Sequence, residues 1–276
     1  VLAALRERVD GELRVVVGLG LHRRMTAAEL APLAPWWPVQ HDPDDCVPTA
    51  EVDGIPGAVH REIARADAVV SVGIAELHQY AGVSGGHKGV AVGCGGRATI
   101  AALHHRDRVL HPGVRIGRVE GNPFRAAVDA LGRAAGCGFA VVWVPASGRW
   151  LAGEPTGLVR RAAASIAPWE PGAGRHHSVV LRVPVAKATS LYQASRAATY
   201  LALSPDPPLA PGARLVLDAA CPEGLGSEAG FVAALRAGAP WSDLLDGPPP
   251  TGAGAQRAVM LALLARDHRL EVAGCV

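Results

Sequence analysis

Five apolar runs constrain the fold of this chain more than any other feature of its sequence. None alternates polar and apolar residues as a half-exposed strand would, so each is expected to be a strand buried on both faces. Helix candidates separate the runs, and strands that alternate with helices predict an α/β fold with largely parallel sheets. The runs are LRVVVGL (13–19), DAVVSVG (67–73), FAVVWVP (139–145), SVVLRVP (178–184) and RLVLDAA (214–220).

The helix candidates and one loop-like stretch predict two domains. In the first helix candidate, Thr26 and Glu29 have the spacing of a capping box. The Gly- and Pro-rich stretch WEPGAGRHHS (169–178) is typical of a linker, so we expect two α/β domains, 1–168 and 178–276. The helix candidates are TAAELAPL (26–33), RAAVDALGRAA (125–135), SLYQASRAATYLAL (190–203), SEAGFVAALRA (227–237) and AQRAVMLALLA (255–265).

Composition argues against several classes of protein. The 276 residues carry a net charge of +2 with 19% charged residues, so there is no basic stripe for a nucleic acid partner. No apolar run approaches the roughly 18 residues that span a bilayer. The first residues lack the layout of a signal peptide, and we expect a cytoplasmic protein without a membrane partner. The cysteines form no CxxC pair, which argues against a thiolate zinc site.

The stretch AGVSGGHKG (81–89) surrounds Lys88, one of two lysines in a chain with 25 arginines. A phosphate-binding P-loop needs glycine directly before the lysine and a hydroxyl directly after it. His87 and Gly89 occupy these positions, so the P-loop interpretation fails. Two interpretations are open at this point: the two lysines escaped a compositional bias toward arginine, or Lys88 stands where an amine must be acylated or form an imine, which a guanidinium does not do.

A second glycine pattern leaves a different class of enzyme open. Gly93, Gly95 and Ala98 satisfy the dinucleotide-binding pattern G-x-G-x-x-[GA], with a short apolar run before it and a plausible helix after it. The pattern is weak in a chain with 33 glycines. It keeps an NAD-dependent oxidoreductase as the alternative function.

The block HQYAGVSGGHKGVAVGCGGRATIAALH (78–104) resembles the signature of the nickel-dependent lactate racemase (LarA-like) family. That signature is close to H-x(6)-G-G-x-K-x(3)-P-G-x(5)-T-I-x(3)-H, and the spacing agrees throughout. The resemblance is collinear over nearly the whole chain and implies two α/β domains with the active site in the cleft between them. Four further blocks follow in the family's order: LHRRMTAAEL (21–30), GRVEGNPFR (117–125), SLYQASRA (190–197) and CPEGLGSE (221–228).

The resemblance implies a nickel cofactor attached to the N-terminal domain. In the family this group is the nickel pincer nucleotide, a pyridinium-3,5-bisthiocarboxylic acid mononucleotide that is tethered through a lysine. By position, Lys88 is the tether and His104 is the nickel ligand, and an amine and an imidazole suit these roles. Glycines would let the backbone approach the nucleotide. The remaining cofactor contacts implied are Gly85, Gly86, Thr99 and Tyr192.

The resemblance also implies the reaction, the racemisation or epimerisation of a small, lactate-like 2-hydroxy acid by proton-coupled hydride transfer. His22 and His78 correspond to the general bases, one for each enantiomer. Gln193 and Arg196 lie on one helix face and correspond to the residues that bind the substrate carboxylate and hydroxyl. The expected partners are the small-molecule substrate and, transiently, the enzymes that build the cofactor.

The match weakens at several positions. The chain is expected to lack the family's N-terminal segment, which carries a substrate-binding arginine, and to stop before the family's closing segment. Arg196 replaces a lysine, Val92 replaces a proline, and His87 replaces a small residue and is expected either to crowd the pocket or to add a ligand. These departures keep open a non-catalytic cofactor-binding homologue as a further alternative.

Overall fold

The structure is a computed structural model, which describes residues 1–166, 174–238 and 240–274. The strands are β1 Val16–Val17, β2 Val39–Gln40, β3 Cys46–Pro48, β4 Ala58–His60, β5 Val69–Ile74, β6 Leu77–His78, β7 Gly82–Val83, β8 Cys137–Val144, β9 Arg149–Gly153, β10 His176–Arg182, β11 Leu209–Asp218 and β12 Arg269–Ala273. The α-helices are α1 Leu2–Arg6, α2 Ala27–Leu30, α3 Arg61–Ala64, α4 Lys88–Ala91, α5 Arg97–Leu103, α6 Arg106–Val109, α7 Pro123–Ala134, α8 Pro155–Ala163, α9 Leu191–Ala202, α10 Ala229–Arg236, α11 Trp241–Asp246 and α12 Ala255–Asp267. Two 3-10 helices cover Ala31–Trp36 and Val185–Lys187.

Two three-stranded sheets confirm the α/β fold class. In the first sheet the order is β5-β8-β9, with β5 parallel to β8 and β9 antiparallel at the edge. In the second sheet the order is β10-β11-β12, and all three strands are parallel. Four of the five predicted strands therefore lie in these sheets, while β9 was not predicted because RWLAG combines an exposed arginine with a glycine at its end.

The predicted strand LRVVVGL is mostly irregular. Only Val16 and Val17 pair, in parallel with Val39 and Gln40, because the partner strand is itself two residues long. The expected capping box follows shortly after it: the Thr26 hydroxyl accepts from the Glu29 amide, and the Glu29 carboxylate accepts from the Thr26 amide. The segment that carries His22 is therefore a loop between β1 and a capped helix.

The predicted linker, 169–178, lies partly outside the described residues, and the boundaries at 168 and 178 remain predictions. Helix α12, from the C-terminal half, packs Val259 and Met260 into the same buried cluster as Leu103 and Phe124. That contact brings the start of α12 to the segment between His78 and His104. Among the described residues, no helix is long and apolar enough to cross a membrane.

The alternative of a dinucleotide-binding loop at Gly93 is wrong, because no strand precedes the glycines. A Rossmann loop follows a strand, but the apolar residues before Gly93 belong to helix α4, Lys88–Ala91. A Cβ at Gly93 would lie 2.3 Å from the carbonyl oxygen of Gly89, so this glycine is required by a tight helix end. The NAD-dependent oxidoreductase is accordingly set aside.

Candidate active site

A cavity of about 560 Å³ lies between the first sheet, helix α4 and the starts of α9 and α12. Both halves of the chain line it, and it collects most of the residues that the sequence predicted. One carboxylate, Glu228, is found among its lining residues, against one lysine and two arginines. The predicted residues in its wall are His22, His78, Gly85, Lys88, His104, Tyr192 and Arg196.

Lys88 is the first residue of helix α4 and lines the cavity. Within the described part of the chain, no acceptor bonds to its amine. Burial, together with the positive charges of Arg196 and Arg125, lowers the pKa of Lys88 from 10.5 to about 8. At pH 7 about a tenth of an amine with this pKa is unprotonated, far more than of an ordinary lysine, and the unprotonated form is the nucleophile.

A buried cluster holds the loop in front of Lys88. The Arg125 guanidinium donates to the carbonyls of Val83 and Gly85, at 3.4 Å each, and also bonds the Asp129 carboxylate. The Asn122 side chain accepts from the Arg125 amide and donates to the carbonyl of Tyr80 at 2.8 Å. The GNPFR segment therefore serves as the support of the lysine loop.

Backbone conformation and packing explain why glycine occupies the two positions, 85 and 86, in the loop before Lys88. Gly85 and Gly86 have φ of +90° and +60°, a region that residues with a Cβ rarely adopt. A Cβ at Gly85 would lie 2.9 Å from a Val142 methyl group, and one at Gly86 would lie 2.8 Å from a Val159 methyl group. Backbone conformation and close packing against the sheet and α8 explain them, and Gly86 does not line the cavity.

His104 follows the last residue of helix α5, and among the described residues only its Nδ1 has a hydrogen-bond partner. Its Nδ1 lies 2.9 Å from the Ile100 carbonyl oxygen, and a carbonyl only accepts, so Nδ1 carries the hydrogen. The neutral ring then has its lone pair on Nε2. Burial lowers the pKa of His104 to about 4 despite the Ile100 bond, and the nearby charge of Lys88 adds to this. A neutral imidazole with a free nitrogen is the form that binds metal ions.

His78 has the opposite arrangement. Its Nδ1 accepts from the backbone amides of Tyr80 at 3.3 Å and Ala81 at 3.1 Å. Burial, followed by the charges of Lys88 and Arg196, lowers the pKa of His78 well below 6.5, so the ring is neutral at physiological pH. Its hydrogen therefore resides on Nε2, and His78 is a hydrogen-bond donor in this ring orientation.

His22 is paired with an acid from the other half of the chain. Its Nδ1 donates to the Glu228 carboxylate at 2.8 Å, and Glu228 is 5% exposed. The Tyr192 ring packs edge-on against the imidazole, with the ring centroids 5.9 Å apart. In the neutral ring the carboxylate keeps the hydrogen on Nδ1 and leaves the lone pair on Nε2. The neutral forms of His22 and His78 are thus opposite tautomers.

Three further residues named in the sequence analysis lie outside the main cavity. Thr99 does not line the cavity, because its hydroxyl donates to the Pro56 carbonyl at 2.5 Å. Gln193 lines a smaller neighbouring cavity of about 150 Å³, which it shares with His22. His87 neither crowds the main cavity nor adds a ligand to it, since its ring is fully buried and bonded to Asp129 at 3.0 Å and to the Cys137 carbonyl at 3.1 Å.

Several cavity residues were not predicted from the sequence. Gln79 and Tyr80 directly follow His78, and Arg257 lies in α12, a helix whose alanine-rich sequence resembles a plain core helix. Glu228 was noted only as part of a family loop. Four buried donors in this wall have no partner among the described residues: Gln79 Nε2, Tyr80 Oη, Arg196 Nε and Arg257 Nε. An unpartnered buried donor is costly and points to a ligand.

The fold and site define an α/β protein with a cationic cavity that contains an unpaired lysine. Residues 1–117 match the family model described as the lactate racemase N-terminal domain. A curated lactate racemase from Lactiplantibacillus plantarum is 28% identical over 142 residues, which cover 48% of this chain and 34% of the relative. The aligned part thus spans about a third of that relative's length.

Two solved structures resemble the fold of this chain over more residues than the sequence alignment covers. The lactate racemase apoprotein from Thermoanaerobacterium thermosaccharolyticum matches with a TM-score of 0.79 at 21% identity, over 94% of this chain and 66% of that one. A protein from Thermotoga maritima matches with a TM-score of 0.52 at 16% identity, over 78% of this chain and 60% of that one. At these identities the structural matches concern the fold alone.

Proposed function

We propose that the protein racemises or epimerises a small 2-hydroxy acid with a nickel pincer nucleotide tethered to Lys88. The observation that carries this proposal is one cavity that brings together an unpaired amine with a pKa of about 8, an imidazole with a free Nε2, and two histidines in opposite tautomers. The similarity to lactate racemases supports the same activity.

The residues present fit the proposed cofactor. Lys88 offers an uncharged amine for the covalent attachment, and His104 offers Nε2 as a metal ligand. Within residues 1–166, 174–238 and 240–274, no three His, Cys, Asp or Glu side chains converge on a point that would hold a metal ion. A nickel ion at His104 would therefore take its other ligands from the nucleotide, which in the family provides carbon and sulfur.

When bound, the cofactor supplies a centre that accepts a hydride from the substrate α-carbon and returns it. His22 supplies the base: Nε2 takes the hydroxyl proton, and the Glu228 carboxylate stabilises the imidazolium that results. Arg196 binds the substrate carboxylate, and Tyr192 packs edge-on against the His22 ring. Delivery of a hydride to the other face of the 2-keto acid would invert the configuration at the α-carbon.

His78 has a second role in this proposal. In its present orientation Nε2–H donates to the substrate oxygen, whether hydroxyl or keto. To act as the base for the other enantiomer, the ring must turn over and release the two backbone amides that now bond to Nδ1. The two histidines are therefore not equivalent, although a racemase acts on mirror-image substrates.

Covalent loading is the direct test. The chain is coexpressed with the cofactor-building enzymes of a known family member, and the intact mass of the protein is measured. We expect a mass increase on Lys88 that is absent from Lys88→Arg, which keeps the charge but not the nucleophile. Lys187→Arg is the matched control, since Lys187 is exposed and paired with Glu76 at 2.8 Å. An unmodified Lys88 under conditions that load the known enzyme refutes the proposal.

Activity is tested on the loaded protein by chiral chromatography of lactate and longer 2-hydroxy acids. Exchange of deuterium at the α-carbon gives a second readout of the same step. A loaded protein without racemisation or exchange identifies the chain as a non-catalytic cofactor-binding homologue instead.

A further inference from the structure

Arg257 is a buried cation without a counterion. Its side chain is 3% exposed, and Nη1 donates to the Gln79 amide oxygen at 2.9 Å and the Thr199 hydroxyl at 2.8 Å. Both acceptors are neutral, and Nε has no partner. Among the described residues no carboxylate reaches this guanidinium. A buried charge in this state costs stability unless a bound anion compensates it.

Arg196 is a second cation on the same side of the cavity. The guanidinium carbons of Arg196 and Arg257 lie 5.6 Å and 5.9 Å from the centroid of the Tyr192 ring. Nε of Arg196 is also buried and unpartnered. Glu228, the one carboxylate in the described wall, is already bonded to His22. Two guanidinium groups therefore face one cavity without an acid to neutralise either.

We propose that Arg257 and Arg196 together select a 2-hydroxy acid with a second anionic group, such as malate, in preference to lactate. Arg196 binds the carboxylate next to the reacting carbon, and Arg257 binds the second one. The proposal deepens the proposed function and rests on it for the identity of the reaction. Gln79 and Thr199 act as the support of Arg257, because both accept from its Nη1 and hold the side chain in the cavity wall.

The charge count supports a doubly charged ligand. A single carboxylate compensates one guanidinium and leaves the other buried and unpaired, whereas two carboxylates compensate both. Arginine forms bidentate bonds to carboxylates, which adds geometric selectivity. Acylation of Lys88 would remove its charge, so the two arginines would then be the cations left in the described wall.

The test compares malate with lactate as probes on Arg257→Gln. In the loaded enzyme we expect kcat/KM for malate to fall by about 100-fold, as for loss of one partner of a buried charge pair, with a change of less than about threefold for lactate. Binding of malate to the unloaded protein, measured by calorimetry, should weaken in parallel. Arg182→Gln is the matched control, because this side chain is 87% exposed and outside the cavity.

The outcomes separate the possible sources of the anion. Equal losses for malate and lactate overturn the proposal, as does a loss of the mass adduct in Arg257→Gln, which would assign Arg257 to the cofactor phosphate. Arg257→Lys keeps the charge and should retain part of the malate preference if the glutamine variant misfolds. Efficient racemisation of lactate without malate binding refutes this inference alone, whereas Arg257-dependent malate binding without racemisation refutes the proposed function alone.

Discussion

Lys88 should cost the unloaded protein stability, and this cost is measurable. The pKa of Lys88 lies at about 8 in the folded protein against 10.5 for an unperturbed lysine. Each pKa unit corresponds to about 1.4 kcal/mol, so the difference amounts to about 3 kcal/mol at pH values below the folded-state pKa. We expect Lys88→Met, which removes the charge and keeps an unbranched side chain, to raise the free energy of unfolding by up to this amount at pH 7.

The sign of the pH dependence follows from the direction of the shift. Between about pH 8 and about pH 10.5 the unfolded chain binds more protons at this lysine than the folded chain does. The stability of the parent protein therefore rises with pH across this window relative to the variant. The difference between them should be largest at or below pH 7 and should shrink toward zero by about pH 10.

Urea denaturation of the unloaded protein, followed by circular dichroism at several pH values, measures the effect. The chain offers one matched control, because Lys187 is its other lysine and forms an exposed ion pair with Glu76. Lys187→Met should change stability by less than about 1 kcal/mol at every pH. A Lys88→Met variant that is no more stable than the parent at pH 7 would contradict the reasoning, since it would mean that the amine is solvated or paired.

Three further predictions concern the histidines. Glu228→Gln should lower kcat of the loaded enzyme by about 100-fold or more, because an amide does not stabilise the His22 imidazolium. The circular dichroism spectrum should stay unchanged. Full activity of this variant would exclude the His22–Glu228 pair from catalysis. His78→Gln should keep more activity than His78→Ala, since glutamine retains an N–H donor, and equal losses in the two variants would show that donation is not the role of His78. His87→Leu should lower the free energy of unfolding by about 3 kcal/mol, because the Asp129 carboxylate loses one of its buried donors. A urea denaturation curve equal to that of the parent protein would contradict this prediction.

The long apolar runs predicted where strands lie but not which of their faces are buried. The runs at 67–73 and 139–145 became β5 and β8, as predicted. The expectation that both faces of these strands are buried is wrong, because Val72 and Ile74 are 42% and 49% exposed and Phe139 is 43% exposed. The run at 13–19 has the same composition, but its length as a strand depends on β2, which is two residues long. A partner's length is not encoded in the strand itself, so this element was overestimated.

The candidate site was predictable where chemistry requires a rare residue. Lys88 is conspicuous among arginines, and His22, His78 and His104 follow from the spacing of a resembling motif. Arg257 was missed because one arginine in an alanine-rich helix has no local signal. Its importance depends on a tertiary contact, the packing of α12 against the segment that contains Gln79.

Motif membership does not distinguish residues that bind a ligand from residues that support the loop, whereas hydrogen bonding does. Thr99 and Arg125 belong to matching blocks, yet their donors are bonded to protein carbonyls or to Asp129, and they leave nothing for a ligand. Lys88 and Arg257 carry donors that no described residue satisfies. Since a buried polar group without a partner is unfavourable, such groups persist where a bound molecule compensates them. Three of the unpaired side chains in this cavity, Lys88, Arg196 and Arg257, are cationic, and this favours the anionic ligand proposed above.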